Sequence, residues 1–319
     1  MFKGSDNVVQ VLYGPLYSRR LGVSVGIDII PYKTCSYNCV YCHEGETTRL
    51  TCQRQDFLEP AAVLEALASL QGKKRFRNLD LDYLTFAGSG EPTLNHSLGK
   101  YIRYLKEISP VPVAVLTNSS LLWDQDLREE LAAADLVVPS LDAGSELVFQ
   151  RLNRPCPGLS LARVTQGLQQ FCQAFPGQTW LEILLCRGIN DSEEELRLLA
   201  RTAAHLEVDR IQINTVSRPP ALPGIFPATP ETLTFFQQLL GPGGEIVHEE
   251  LGGQREILEK DLEKAILDCL RYQPGNVKSL SRETKKSGQE VIKVLSRLEK
   301  QGILQRFMRH GKSFYRILD

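Results

Sequence analysis

"VSVGIDIIPYKTCSYNCVYCHEG", residues 23–45, begins as one kind of sequence and ends as another. Residues 23–30 are apolar and β-branched, the composition of a buried strand. The next fifteen residues hold Cys35, Cys39 and Cys42, with His43 directly behind. Three thiolates without a local fourth suit a metal centre that keeps one coordination position open. A strand running straight into such a loop suggests an α/β fold, where chemistry collects at the strands' C-terminal ends.

The same alternation repeats outward. Strand patterns at 82–90, 111–117, 135–143, 179–186 and 209–216 are separated by helical patterns at 97–108, 124–134, 160–175 and 191–206. A further helix, 58–71, follows the cysteine loop. Six strands alternating with helices imply a parallel sheet covered by helices, either a barrel or an open sheet. The cysteine loop, "GSGEP", "TNSS" and "SLDAGS" all fall at strand ends, which points to one active site. Asp191 or Ser192 caps the helix that begins there, with acidic residues in its first turn.

Beyond a proline-rich stretch at 217–230 and a helix, the glycine-rich 241–257 reads as a linker. It divides a first domain, 1–240, from a second, 258–319. The second carries three helical patterns (261–273, 276–286, 287–302) and a hairpin at 303–317 that turns near His310–Gly311. That order is a winged helix-turn-helix. Its third helix carries Lys293, Arg297 and Lys300, and its wing Arg306, Arg309 and Lys312. From Lys260 onward there are 14 Lys and Arg against 7 Asp and Glu, while the remainder has 23 against 31. A basic tail on an acidic body suits a polyanionic partner.

A 42 % hydrophobic and 24 % charged composition over 319 residues is that of an ordinary globular protein. No signal-peptide pattern and no bilayer-length apolar run is visible, so a cytoplasmic protein with no membrane association is expected. Thiols stay reduced there, so the eight cysteines read as ligands and packing residues rather than a disulfide framework. Cys172 and Cys186 read as packing residues, and Cys52 and Cys156 lie in loops.

Two other metal readings fit less well. Structural zinc wants four ligands in pairs, and adjacent Cys42 and His43 rarely point at one ion. "CVYCH" matches a haem-attachment pattern, but that attachment requires export.

The C-x3-C-x2-C spacing with Tyr41 between the last two cysteines resembles the signature of the radical SAM superfamily. "PLYSRRLGVSVGIDIIPYKTCSYNCVYC" and "GSGEPTLN" are similar to its wyosine-tRNA-synthase-like branch, in particular to single-cluster bacterial members with a C-terminal winged helix. The resemblance covers about residues 10–220. It implies a partial (β/α)6 TIM-type barrel and a [4Fe–4S] cluster on Cys35, Cys39 and Cys42. The unique iron would take S-adenosylmethionine (SAM), whose reductive cleavage gives a 5′-deoxyadenosyl radical that abstracts hydrogen from a substrate. It also implies contacts to SAM from Tyr41, from the loop Gly88, Ser89, Gly90 and Glu91, and from Asn118, Ser140, Asp142 and Asn214. Glycines 88 and 90 would let the backbone approach the ligand, and Glu91 would receive its amino group. Asn118, Ser140 and Asp142 would meet ribose or carboxylate, and backbone near Asn214 the adenine. Arg19, Arg20 and Arg218 are candidates for an anionic substrate.

The wyosine-forming relatives carry further cluster cysteines upstream, whereas none precedes Cys35 here. No flavodoxin-like electron-donating domain is visible either, so an external ferredoxin or flavodoxin is expected to supply the electron. The favoured substrate is macromolecular, tRNA or another nucleic acid held by the winged helix. The alternatives are a peptide or protein substrate, and an iron–sulfur DNA-binding regulator that is not an enzyme.

Overall fold

The structure is a computed structural model that describes residues 11–18, 20–72, 81–218, 220–247, 262–270, 274–284, 286–309 and 312–318. Its centre is an eight-stranded sheet. β1 (Leu12–Ser18) pairs antiparallel with β2 (Gly22–Ile27). Two short strands of the cysteine loop, β3 (Thr34–Cys35) and β4 (Arg49–Leu50), pair with each other. The sheet continues in parallel through β5 (Tyr83–Phe86), β6 (Val113–Thr117), β7 (Leu136–Pro139), β8 (Gln178–Leu185), β9 (Arg210–Thr215) and β10 (Gly244–Ile246).

β2 and β7 are buried along almost their whole lengths. A parallel sheet covered on both faces demands such unbroken apolar runs, which is why these strands lack alternation. Three strands separate β2 from β8, a gap of about 19 Å in a flat sheet at ~4.8 Å per strand. Yet Arg20, in the turn before β2, is ion-paired with Glu182 on β8. An arginine side chain does not span a flat sheet of that width, so the sheet is curled in the manner of a partial barrel, with β1 and β10 as its free edges.

Helices α1 (Pro60–Gly72), α2 (Leu98–Ile108), α3 (Gln125–Leu131), α4 (Glu146–Leu152), α5 (Leu161–Ala174), α6 (Glu193–Ala203) and α7 (Pro230–Leu240) accompany the sheet. Ser145, Ser160, Ser192 and Thr229 each turn a hydroxyl onto a backbone N–H of the following first turn and so start α4 to α7. Ser192 rather than Asp191 is the cap of α6, since Asp191 accepts from Gly188 N instead.

The first domain does not stop at residue 240. Gly241–Gly243 forms a 3-10 turn, and β10 adds to the sheet beside β9, with Gly244, Glu245 and Ile246 opposite Ile211, Gln212 and Ile213. Reading 241–257 as a linker is thus corrected over its first six residues. A three-residue strand among glycines has too few side chains to show a period. Residues 248–257 lie outside the described residues.

The C-terminal part has helices α8 (Leu262–Leu270), α9 (Val277–Thr284) and α10 (Gly288–Lys300) and the antiparallel pair β11 (Leu304–Arg309) and β12 (Lys312–Ile317). Ser287 and Glu290 form a reciprocal capping box that starts α10. Ile266, Leu280, Val291, Leu295, Leu298, Leu304 and Tyr315 make a core separate from that of the sheet. α8 packs on β1, and Arg218, after β9, stands 4.0 Å from Glu283 of α9. No helix among the described residues is long and apolar enough to cross a membrane.

Candidate functional site

Two loops interlock at the ends of β2 and β5. Asp28 accepts from Ser89 N and Ser89 Oγ, both at 2.9 Å, and from Ile30 N at 3.2 Å. Lys33 N donates to Ser89 O, and Glu91 N to Thr34 O. Glycines 88 and 90 are required, but for a reason internal to the chain. A Cβ at Gly88 would sit 2.1 Å from the Asp28 carboxyl carbon, and one at Gly90 2.1 Å from Thr34 O. A side chain at either position would collide with Asp28 or with the cysteine loop, so the close packing of the two loops alone calls for glycine there.

Glu91 is also committed inward. Its buried carboxylate accepts from Thr93 N (3.1 Å), Thr93 Oγ1 (2.6 Å), Thr117 Oγ1 (2.7 Å) and Asn118 N (2.8 Å). Burial raises its pKa, and these hydrogen bonds oppose the rise. Three of these donors meet Oε1 and one, Asn118 N, meets Oε2. Glu91 caps the 3-10 turn Pro92–Leu94 and ties it to β6.

Each sulfur of the triad meets a side-chain N–H donor, and Cys35 also takes a backbone hydrogen bond from Tyr37 and Cys39 one from the Tyr41 side chain. Lys33 Nζ lies 3.1 Å from Cys42 Sγ, Asn118 Nδ2 3.5 Å from Cys35 Sγ, and Asn153 Nδ2 3.6 Å from Cys39 Sγ. Lys33 is 3 % exposed and has the left-handed φ of 55°, which is uncommon for a residue other than glycine. Burial is the largest influence and works against its ammonium, but Cys42, Cys35 and Cys39 together outweigh it and its pKa is raised. Burial pushes Cys35 up to about 12, with the Glu91 carboxylate adding to the effect. Burial also holds Cys39 well above the usual thiol range, and Cys35 and Cys42 add to it.

Three half-buried sulfurs brought together in one loop are soft donors that suit a metal cluster, whose positive charge favours thiolate over thiol. Among the described residues, no group of three His, Cys, Asp or Glu side chains is placed to hold one ion. His43 lies 3.1 Å from Glu44. A cluster, in which each thiolate takes its own iron, is the centre these positions suit.

The remaining candidates fall around the same rim. Asp142 is buried, accepts from Tyr41 OH, from Asn153 Nδ2 at 3.2 Å and from Leu184 N at 2.9 Å, and thereby joins the cysteine loop to β8. Burial pushes its pKa up to about 6, against the hydrogen bonds from Tyr41 and Leu184. Asn118 spends its amide on Cys35 and on Ser36 Oγ at 2.9 Å, and its carbonyl on Ser120 N at 3.0 Å. Ser140 lines a small cavity with Tyr37, Asn118, Asp142 and Asn153. Asn214 donates to Glu182 at 2.8 Å, so Arg20, Glu182 and Asn214 form a chain across the sheet. Arg19 lies outside the described residues.

Two further findings depart from the sequence reading. Cys52 and Cys156 are joined as a disulfide, although all eight cysteines were expected to stay reduced. The pair brackets the cysteine loop: Thr51 N donates to Cys35 O at 3.0 Å and Cys156 N to Ser36 O at 2.8 Å. At a sequence separation of 104, nothing local in the sequence announces the pairing. Sequence reasoning also passed over Lys33 and Asn153. Lys33 stands two places before the first cysteine, and that position was its only signal.

The radical SAM superfamily model matches residues 29–200. The UPF0026 protein of Methanocaldococcus jannaschii is 31 % identical over 309 residues, 96 % of this chain and 95 % of that one. A protein named GTPase Obg from Brachyspira hyodysenteriae is 41 % identical over 207 residues, 65 % of this chain. The match spans 30 % of that relative's length. Among solved structures, TYW1 with a lysine–pyruvate adduct superposes with a TM-score of 0.53 at 18 % identity, covering 68 % of this chain and 72 % of that one. A radical SAM methyltransferase from Sphaerobacter thermophilus gives 0.52 at 18 % identity, with 70 % and 65 % covered. These two likenesses establish the fold.

Proposed function

The chain belongs to the radical SAM superfamily, and from that premise we propose that Cys35, Cys39 and Cys42 each hold one iron of its [4Fe–4S] cluster and leave the fourth iron to SAM. As a radical SAM enzyme it uses that cluster and SAM as its cofactors. When bound, they supply the reductive cleavage of SAM to a 5′-deoxyadenosyl radical, chemistry that no side chain performs.

The observation that carries the assignment is the set of three sulfurs in one loop, each with its own side-chain N–H donor. The chain's own residues then have positional work. Asp28 and Glu91 lock the two loops together, and Tyr41, Asp142 and Asn153 fasten the cysteine loop to β8. Backbone of Gly88–Glu91, the Ser140 side chain and the backbone after Asn214 face the ligand side in this reading. Tyr41, Asn118 and Asp142 act by holding that rim in place. An external ferredoxin or flavodoxin delivers the electron.

The substrate in this reading is a nucleic acid, tRNA or another, presented by the C-terminal part acting as a winged helix-turn-helix. The support is its three-helix-plus-hairpin order and the exposed cations Lys293, Arg297, Lys300 and Arg306. A peptide substrate is the second reading, favoured by the exposed apolar Ile292, Ile303 and Met308 on the same module.

Anaerobic reconstitution with iron and sulfide, followed by dithionite and SAM, tests the chemistry. 5′-Deoxyadenosine is expected from the wild type, and at least a hundredfold less from Cys39→Ala, because a lost ligand removes the cluster. Equal yields from the two proteins would remove Cys39 from the site.

A further inference from the structure

The three side-chain N–H donors that meet the triad come from three places in the fold. Lys33 belongs to the cysteine loop itself, Asn118 follows β6, and Asn153 caps the end of α4. Each is held by contacts of its own. Lys33 N donates to Ser89 O, while Lys33 O accepts from Thr48 N and Arg49 N, which fixes its backbone on both sides. Asn118 N donates to Glu91. Asn153 also donates to Asp142, and its carbonyl accepts from Asn38 N.

Lys33 differs from the two asparagines. It is the only cation of the three and the nearest to its sulfur, at 3.1 Å. A lysine that is 3 % exposed is costly unless something anionic compensates it, and the thiolates of the triad are the compensation at hand. On reduction an iron–sulfur cluster gains negative charge, much of it carried on sulfur. N–H donors aimed at the sulfurs therefore stabilise the reduced form more than the oxidised one, and a buried full charge does so most.

We infer that Lys33 is a positioning residue which, as the one cation in a shell of donors that includes Asn118, Asn153, Tyr37 and Tyr41, raises the reduction potential of the cluster. The inference rests on the cysteine assignment above. The shell makes the electron easier to accept from a donor of moderate potential, before any substrate is present.

The test uses the full chain, reconstituted anaerobically, in wild-type form and as Lys33→Asn, Lys33→Met and Lys33→Arg. Asparagine tolerates the left-handed φ of 55° while removing charge, methionine removes charge at nearly constant length, and arginine keeps the charge. Iron and sulfide are quantified first, and the cluster is then titrated against potential by electron paramagnetic resonance without SAM. At the wild-type midpoint the reduced-to-oxidised ratio is expected to fall about tenfold in Lys33→Asn and Lys33→Met, a shift of ~59 mV for a one-electron couple. Lys33→Arg is expected to restore most of it. Fully loaded neutral variants whose midpoints match the wild type overturn the inference. So does loss of the cluster from both neutral variants with full loading of Lys33→Arg, which would make Lys33 an assembly residue. A wild type that takes up no cluster sinks the cysteine assignment instead, and this inference with it.

Discussion

Glu91 shows how a motif residue acts through its neighbours. Four donors, from Thr93, Thr117 and Asn118, converge on its buried carboxylate, and all of them belong to the chain. Removing a charged acceptor that leaves several buried donors unpaired costs about 2–3 kcal/mol. Glu91→Ala is therefore expected to lower the stability of the cluster-free protein by that amount, read from urea denaturation without iron or SAM. An unchanged urea midpoint would return Glu91 to a purely ligand-binding role. At this scale the cysteine triad and the "GSGEP" loop were legible because their spacing is local. The sulfur donors were not. Asn118 and Asn153 lie 83 and 114 residues from the cysteines they meet, and an isolated asparagine after a strand or helix reads as a turn residue.

The elements that bracket the site add constraints that no local pattern carries. Cys52 follows β4 and Cys156 follows α4, and their disulfide closes a loop across the first half of the sheet. Closing a loop of about a hundred residues restricts the unfolded chain by up to about 4–5 kcal/mol in the chain-entropy model. Alkylation of the iron-free protein in denaturant is expected to label six thiols without reductant and eight with it, read by intact mass. Labelling of all eight without reductant would show the pair to be reduced. The six parallel strands of the sequence reading were recovered because fully buried strands are continuous apolar runs flanked by turn residues. β1 and β10 were missed for opposite reasons. β1 carries Gly14 and Pro15 within its span, which interrupts a strand pattern, and β10 is only three residues long among glycines.

The molecule as a whole combines an open-edged sheet with a basic helical module packed at one of its edges. α8 lies on β1, and Glu283 of α9 approaches Arg218 beyond the end of β9, so both elements reach the flanks of the curled sheet. Part of the basic charge is neutralised within the module: Arg297 pairs with Glu263, and Arg306 stands 3.6 Å from Glu299. Lys293 and Lys300 are exposed on α10, one helical face removed from its buried Val291, Leu295 and Leu298. If the partner is a nucleic acid, each lysine on a phosphate releases counterions and contributes about one unit to the slope of log affinity against log salt. Lys293→Ala is expected to weaken binding of a tRNA pool at low salt and to reduce that slope by about one, with no change in the cluster's midpoint potential. Binding of an acidic peptide with a shallow salt dependence, lost instead on Ile292→Ser, would move the module to the peptide reading. The two outcomes differ in their slopes as well as their affinities, because phosphate contacts and apolar contacts respond differently to salt.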